Sequence, residues 1–180
     1  LHLVRHAEAA SGWGSDADPG LSELGQRQAA AAAEALVASL SPRAVVTSPL
    51  RRTRETAAPI VRAWGTEAEV VAAFGEIPSP SDDLAERAAW LPGALRGRWG
   101  DLDEAVGAWR AALIEAALAV ERDVVVVTHF VAINALVGHA LGRDEVTTFL
   151  PANASVTVLD ALDGRLEVVE RGGEAPPVVG

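Results

Sequence analysis

Short apolar runs alternate with long alanine-rich stretches along most of this chain. Leu1–Val4, Ala44–Thr47, Val70–Ala73, Asp123–Thr128 and Ser155–Leu159 are the strand candidates. Several are unbroken apolar runs, Val124–Val127 most clearly, as in strands covered on both faces. Between them, Ser22–Leu40, Pro49–Trp64, Leu102–Glu121 and Val131–Leu141 read as helices. Ser22 is the N-cap candidate of the first. Ser48 is that of the second, with Pro49 at its first helical position. Strand–helix alternation with connections this long predicts an α/β fold, a three-layer sandwich with a mainly parallel sheet and helices on both faces. No internal repeat or linker divides residues 1–180, so a single domain is expected.

The stretch Gly75–Asp103 breaks the alternation. It holds Pro78, Pro80 and Pro92, several glycines and charges, and one short helical candidate at Asp82–Leu91. Two readings stand side by side: a plain surface excursion, or a lid or rim over a site, since long irregular segments in compact domains are often functional.

Composition removes whole classes of chemistry. The chain has 180 residues, a formal net charge of −10 and no cysteine. An acidic surface repels nucleic acid and anionic membrane. Without cysteine there are no disulfides, thiol nucleophiles or cysteine-bound metals. All 15 basic residues are arginine, so a Walker-type phosphate loop and Schiff-base catalysis lack their lysine. No apolar run is long enough to span a membrane and nothing at the start reads as a signal peptide, which makes a cytoplasmic protein the expectation. The chain also lacks Met and opens at Leu1 inside an apolar run, which reads as a start trimmed from a longer one.

In open α/β sheets, ligands bind beyond the carboxyl ends of the strands. The first strand runs into Arg5-His6, and the Val124–Val127 strand runs into Thr128-His129. Two of only four histidines thus fall where such a fold places its site. A single histidine at a strand end is more often structural; two at matching ends are not easily so. The third signal is Thr47-Ser48-Pro49-Leu50-Arg51-Arg52-Thr53-Arg54. Three arginines at a helix start oppose the helix dipole. Either solvent and neighbours such as Glu55 absorb that cost, or an anion does. Arginine suits phosphate because its planar fork offers two parallel hydrogen bonds. Other chemistries lack their patterns: His2 and His6 lie on a strand with no His-Glu-x-x-His, and no Gly-x-Ser-x-Gly occurs.

Five blocks in order resemble the histidine phosphatase superfamily, which includes the phosphoglycerate mutases. Leu3-Val4-Arg5-His6-Ala7-Glu8 is similar to its Arg-His-Gly signature, and Asp18–Ala29 to its D-x-x-L-T-x-x-G-x-x-Q-A segment. Ser48–Ala57 resembles S-x-L-x-R-A-x-x-T-A, which sets the second arginine on Arg52 and not Arg51. Val125–Val131 resembles the second-histidine block, and Asn153–Leu159 the closing strand. The resemblance implies a metal-independent enzyme without cofactor, acting on a small phosphorylated substrate. His6 would be the nucleophile that forms a phosphohistidine, with its other ring nitrogen held by an acceptor such as a backbone carbonyl. Arg5, Arg52 and His129 would hold the phosphate with His6, and Glu76, just after the third strand, would be the general acid and base. Glu8 is either a rim residue or a plain salt-bridge partner. Trp13 either lines the mouth or packs as one of five tryptophans.

Departures fall on the substrate side. Ala7 replaces the signature glycine and calls for ordinary backbone angles. Ser11-Gly12-Trp13 offers no phosphate-contacting Asn, Ile77-Pro78-Ser79-Pro80 replaces the usual glycine spacing, and Phe130 follows His129 where glycine is common. Phe130 is accordingly a rim candidate. Within the resemblance a phosphomonoester hydrolase is the leading expectation. A phosphoglycerate mutase is the alternative, and a non-catalytic phosphate-binding module is a second. Nothing in the sequence bears on oligomeric state.

Overall fold

The computed structural model of the chain describes residues 1–12 and 14–175, so Trp13 lies outside the described residues. The strands are β1 (His2–Arg5), β2 (Ala44–Thr47), β3 (Ala68–Val70), β4 (Val124–Thr128), β5 (Val156–Leu162) and β6 (Arg165–Glu170). The helices are α1 (Glu23–Ser39), α2 (Arg51–Trp64), α3 (Leu84–Arg96), α4 (Glu104–Leu118) and α5 (Phe130–Ala140). The sheet order is β3-β2-β4-β1-β5-β6. β3, β2, β4 and β1 pair in parallel, while β5 runs antiparallel to β1 and β6 antiparallel to β5.

Why valine fills β4 is visible in the packing. All five β4 residues are buried, and they divide by parity between the two faces. Val124 and Val126 join Leu3, Leu113 and Ile133 on the side of α4 and α5. Val125 and Val127 join Val4, Leu36 and Ile60 on the side of α1 and α2. A strand with no wet face takes a polar residue only where a partner waits, as Thr128 finds in the Phe74 carbonyl, and the chain leaves the sheet at His129. The parallel register aligns Arg5 with Thr128, which sets His6 and His129 side by side just beyond the strand ends.

Most boundaries shift from the sequence expectations, and four differences have a visible cause. The third strand ends at Val70 and not Ala73. The Val71 amide still bonds to Thr47, after which buried Phe74 draws Ala72–Phe74 into a 3-10 turn. α2 starts two residues late, and Ser48 is not its N-cap. The Asp18 carboxylate instead accepts from the Arg51 amide at 2.8 Å, while the Ser48 hydroxyl faces His129. α3 continues past Pro92. That proline is exposed, whereas Leu91 and Leu95 pack on the core beneath, and burial of that face outweighs one missing hydrogen bond. The β6 edge strand was not expected at all. It pairs with β5 through Asp163-Gly164, whose φ of 50° and 73° are those of a tight hairpin turn.

One close approach fixes the loop after β1. The Gly25 Cα lies so near the Glu8 carbonyl that a Cβ would fall 2.0 Å from its oxygen. The same loop is tied to α1 by the Ser22 hydroxyl, which donates to Glu8 Oε1 (2.7 Å) and accepts from the Gly25 amide (2.9 Å). Ser22 is therefore the N-cap that the sequence implies. Among the described residues, no helix is long and apolar enough to cross a membrane.

Candidate active site

A cavity of about 630 Å³ opens beyond the carboxyl ends of β1 and β4. Arg5, His6, Arg52 and Glu76 line it, as do Glu8 and Phe130 from the expected rim. His129 lies beneath them, fully buried, with its ring edge-on to His6 at 5.3 Å between centroids.

His6 Nδ1 is 2.8 Å from the Ala7 carbonyl oxygen. A carbonyl only accepts, so Nδ1 carries the proton and Nε2 keeps its lone pair. Nε2 in turn accepts from Arg52 Nε at 3.2 Å. Burial, with the neighbouring His129 and Arg52 adding to it, pushes His6 down to about 3. The imidazole is therefore neutral and single-tautomer across the ordinary pH range. Ala7 makes this possible without a left-handed backbone, and its amide donates to Thr56 Oγ1 (3.0 Å), which holds the carbonyl in place. The Asn153 amide donates to the His6 carbonyl at 3.0 Å. That contact comes from the turn at Ala154, whose φ of 59° is unusual for a residue with a Cβ.

The arginine register follows from burial. Arg52 is 4% exposed and points inward, with Nη2 3.6 Å from Glu76 Oε2 and 3.3 Å from His129 Nδ1. Arg51 turns outward into an exposed pair with Glu55 at 2.6 Å. Removing the buried fork should therefore be costly and the exposed one cheap. Arg52→Lys is expected to lower kcat/KM by roughly a hundredfold or more, the usual scale for one preorganised donor. Arg51→Lys should stay near the unmodified rate. Steady-state kinetics on the two variants checks this, and the reverse pattern would place the pocket on Arg51.

Glu76 is delivered by the turn after β3, which Thr128 anchors by donating to the Phe74 carbonyl (2.7 Å). Its side chain is 5% exposed. Burial alone would raise its pKa, but His129 and Arg52 outweigh that and hold it down at about 2. His129 Nδ1 sits 3.3 Å from Glu76 Oε2, and Nε2 sits 2.8 Å from Ser48 Oγ. Burial lowers the His129 pKa against the pull of Glu76, so the ring is neutral near pH 7. Two neutral arrangements satisfy it. Either Nδ1–H donates to Glu76 while Ser48 donates to Nε2, or Nε2–H donates to Ser48 while Arg52 donates to Nδ1. A hydroxyl serves both, which is why serine and not a fixed donor stands at this position.

Arg5 Nη1 donates to the Pro151 carbonyl at 2.7 Å and its guanidinium lies 5.2 Å over the Phe130 ring. Glu8 has the structural partners described above and reaches the cavity only at its edge. Ser48 and Asn153 were not among the sequence candidates for the site. The serine was masked by its resemblance to a cap and the asparagine by its place before a strand. His6, Glu76 and His129 bring donor atoms within 4.8 Å of one another, close enough to hold a metal ion. The Arg52 guanidinium touches all three groups, however, and its fixed charge opposes a second cation there.

The family model of the histidine phosphatase superfamily (branch 1) matches residues 1–172. This chain belongs to the histidine phosphatase superfamily. No curated protein matches the sequence. Among solved structures, a mycobacterial glucosyl-3-phosphoglycerate phosphatase is 27% identical with a TM-score of 0.70, over 97% of this chain and 99% of that one. The same mycobacterial phosphatase in complex with VO3 is 25% identical with a TM-score of 0.71, over 98% of this chain and 99% of that one. Phosphoserine phosphatase from Entamoeba histolytica, in complex with 3-phosphoglyceric acid, shares the fold at a TM-score of 0.73 and 21% identity, with 96% of each chain covered. The superfamily and these phosphatase neighbours support a phosphatase. The mostly parallel sheet with flanking helices is the α/β architecture that the sequence predicted, with β6 as an added edge strand.

Proposed function

We propose that this chain is a single-domain phosphomonoester hydrolase that works through a phosphohistidine on His6. The observation that carries this is the His6 ring, neutral, with Nδ1 held by a carbonyl and an Nε2 lone pair beside Arg52 at the cavity floor. Nε2 attacks phosphorus as the ester P–O bond breaks. Arg5, Arg52 and a His129 N–H take the equatorial oxygens and balance their charge. The leaving oxygen receives a proton from Glu76. Water then attacks the phosphohistidine, gives its proton to Glu76 and releases phosphate, which restores neutral His6.

Glu76 is ionised in the empty site, where Arg52 and His129 surround it. A bound phosphate dianion competes for the Arg52 charge and the His129 N–H and adds its own repulsion, so the pKa of Glu76 rises on binding and the acid form becomes available. Residues 75–103 form the rim in this reading, since Glu76, Arg87, Leu91 and Leu95 all line the cavity. This segment carries Arg87, Arg96 and Arg98 against Glu76, Asp82, Asp83, Glu86, Asp101 and Asp103. A mutase needs extra cations for a bisphosphorylated intermediate, and this balance favours release to water.

Incubation with 3-phosphoglycerate, with and without 2,3-bisphosphoglycerate, together with simple phosphomonoesters, separates the two. Inorganic phosphate as the product supports the hydrolase. Bisphosphoglycerate-dependent interconversion of phosphoglycerates would make it a mutase. Prolonged chelation with EDTA should leave the rate unchanged, because arginine supplies the charge. A loss restored by Mg²⁺ or Zn²⁺ would overturn the metal-free mechanism.

A further inference from the structure

Beyond the phosphate end, the cavity wall is built from Leu91 and Leu95 of α3, Phe130 and Val131 of α5, Leu150 and Pro19. Small apolar residues from the loop after β1, among them Ala9 and Ala10, close the other side. The volume of about 630 Å³ suits an organic group of drug-like size and far exceeds what a phosphate needs. Among the described residues, the polar side chains beyond the phosphate end are Glu8, Ser11, Asp16, Arg87 and Asn153, and several of their groups already have partners. The Asn153 amide is spent on the His6 carbonyl, and Glu8 takes the Ser22 hydroxyl. Asp16 holds the Asp18 amide at the exposed edge. Most of a sugar's hydroxyls would still face Leu91, Leu95, Phe130, Val131 and Leu150, where desolvation costs affinity.

Charge points the same way. Arg5 and Arg52 belong to the phosphate end, and Arg87 lies near enough to Arg52 for the two positive charges to repel. The mouth instead carries the carboxylates Glu8 and Asp16. A second anionic group on the substrate would enter past two acids on a chain of net charge −10.

We infer that the preferred substrates are phosphate monoesters of apolar alcohols, with an alkyl or aryl body seated on Leu91, Leu95, Phe130 and Leu150. This rests on the phosphomonoesterase reading and adds the substrate class to it. The departure of Phe130 from the family's common glycine then has a use, since its ring forms part of the floor for that body.

The test is a series of n-alkyl phosphates from ethyl to hexyl, set against phosphoserine and 3-phosphoglycerate, on the purified full chain. The alkoxide leaving groups are nearly equal in basicity, so the chemical step is constant and only burial varies. A fully buried methylene is worth about fourfold in affinity. The expected result is a rise in kcat/KM of roughly tenfold or more from ethyl to hexyl, with hexyl phosphate ahead of both anionic substrates. Leu91→Asn should shrink the hexyl-to-ethyl ratio. A flat series, an unchanged ratio in Leu91→Asn, or phosphoserine or 3-phosphoglycerate ahead of hexyl phosphate would overturn the inference while leaving the hydrolase intact. If no ester turns over, the hydrolase reading fails on its own. Calorimetric binding of the same alkyl phosphates then decides the inference, with affinity rising along the chain for it and a flat series against it.

Discussion

His6→Ala is expected to lose turnover by about 10⁴-fold or more on every phosphomonoester, the scale seen when a covalent nucleophile is removed. Among the described residues, no other group at the cavity floor is placed to act as the nucleophile. His129 is the nearest alternative, but it is fully buried in the empty site, with Nε2 paired to Ser48 and Nδ1 beside Glu76 and Arg52, and in the mechanism it serves phosphate as a donor, not as a nucleophile. The anion site itself should survive the substitution, because Arg5 is held by Pro151, and Arg52, although it loses its bond to His6, keeps Glu76 and His129 as partners. Vanadate or inorganic phosphate should therefore still bind to His6→Ala, as measured by calorimetry. Turnover that persists in this variant would remove His6 from the mechanism.

The second large effect concerns Glu76 and separates substrates by leaving group. An alkoxide is a poor leaving group and must be protonated as the P–O bond breaks, whereas a nitrophenolate leaves unaided near neutral pH. General acid catalysis contributes about 10² to 10⁴. Glu76→Gln should lower kcat/KM for alkyl phosphates by that order and for nitrophenyl phosphate much less. kcat/KM is the proper readout because it reports phosphorylation of His6, whereas kcat also contains water attack. Equal losses on both substrates would take Glu76 out of the acid role.

The same residue makes a binding experiment informative. Its carboxyl sits at about 2 in the empty site, and a dianion beside it stabilises the protonated form. Phosphate or vanadate binding near neutral pH should then take up protons, read from heats in buffers of different ionisation enthalpy. Glu76→Gln should lower that uptake.

The parts of the fold that the sequence revealed are those where one physical demand acts alone. Val124–Val127 reads as a two-faced strand because both faces are apolar, and α1 reads from Ser22 because its hydroxyl accepts from Gly25 while donating to Glu8, so the second partner does not displace the cap. Ser48 was misread because two demands met there. A serine before Pro49 looks like a cap, yet His129 claims its hydroxyl and Asp18, distant in sequence, caps α2 instead. Pro92 misled in the opposite sense, since proline propensity is local while the burial of Leu91 and Leu95 is tertiary. β6 was passed over because an edge strand alternates polar and apolar weakly, although Asp163-Gly164 carried a hairpin signal. In the site, the meeting of His6 with His129 was legible from the strand-end rule and that of Arg52 from the motif register. The Ala7 carbonyl as the acceptor for His6 was not, because a backbone contact leaves no trace in side-chain identity.

Whether phosphate ever becomes covalently attached to His6 tests the mechanism most directly. Rapid mixing with substrate, quenching in alkali and mapping of the modified peptide answers it. The account predicts one acid-labile phosphate per chain, on His6 Nε2, that forms within the first turnover and is absent from His6→Ala. Turnover with no phosphoenzyme at any time point, or phosphate on His6 Nδ1 or another residue, would contradict it.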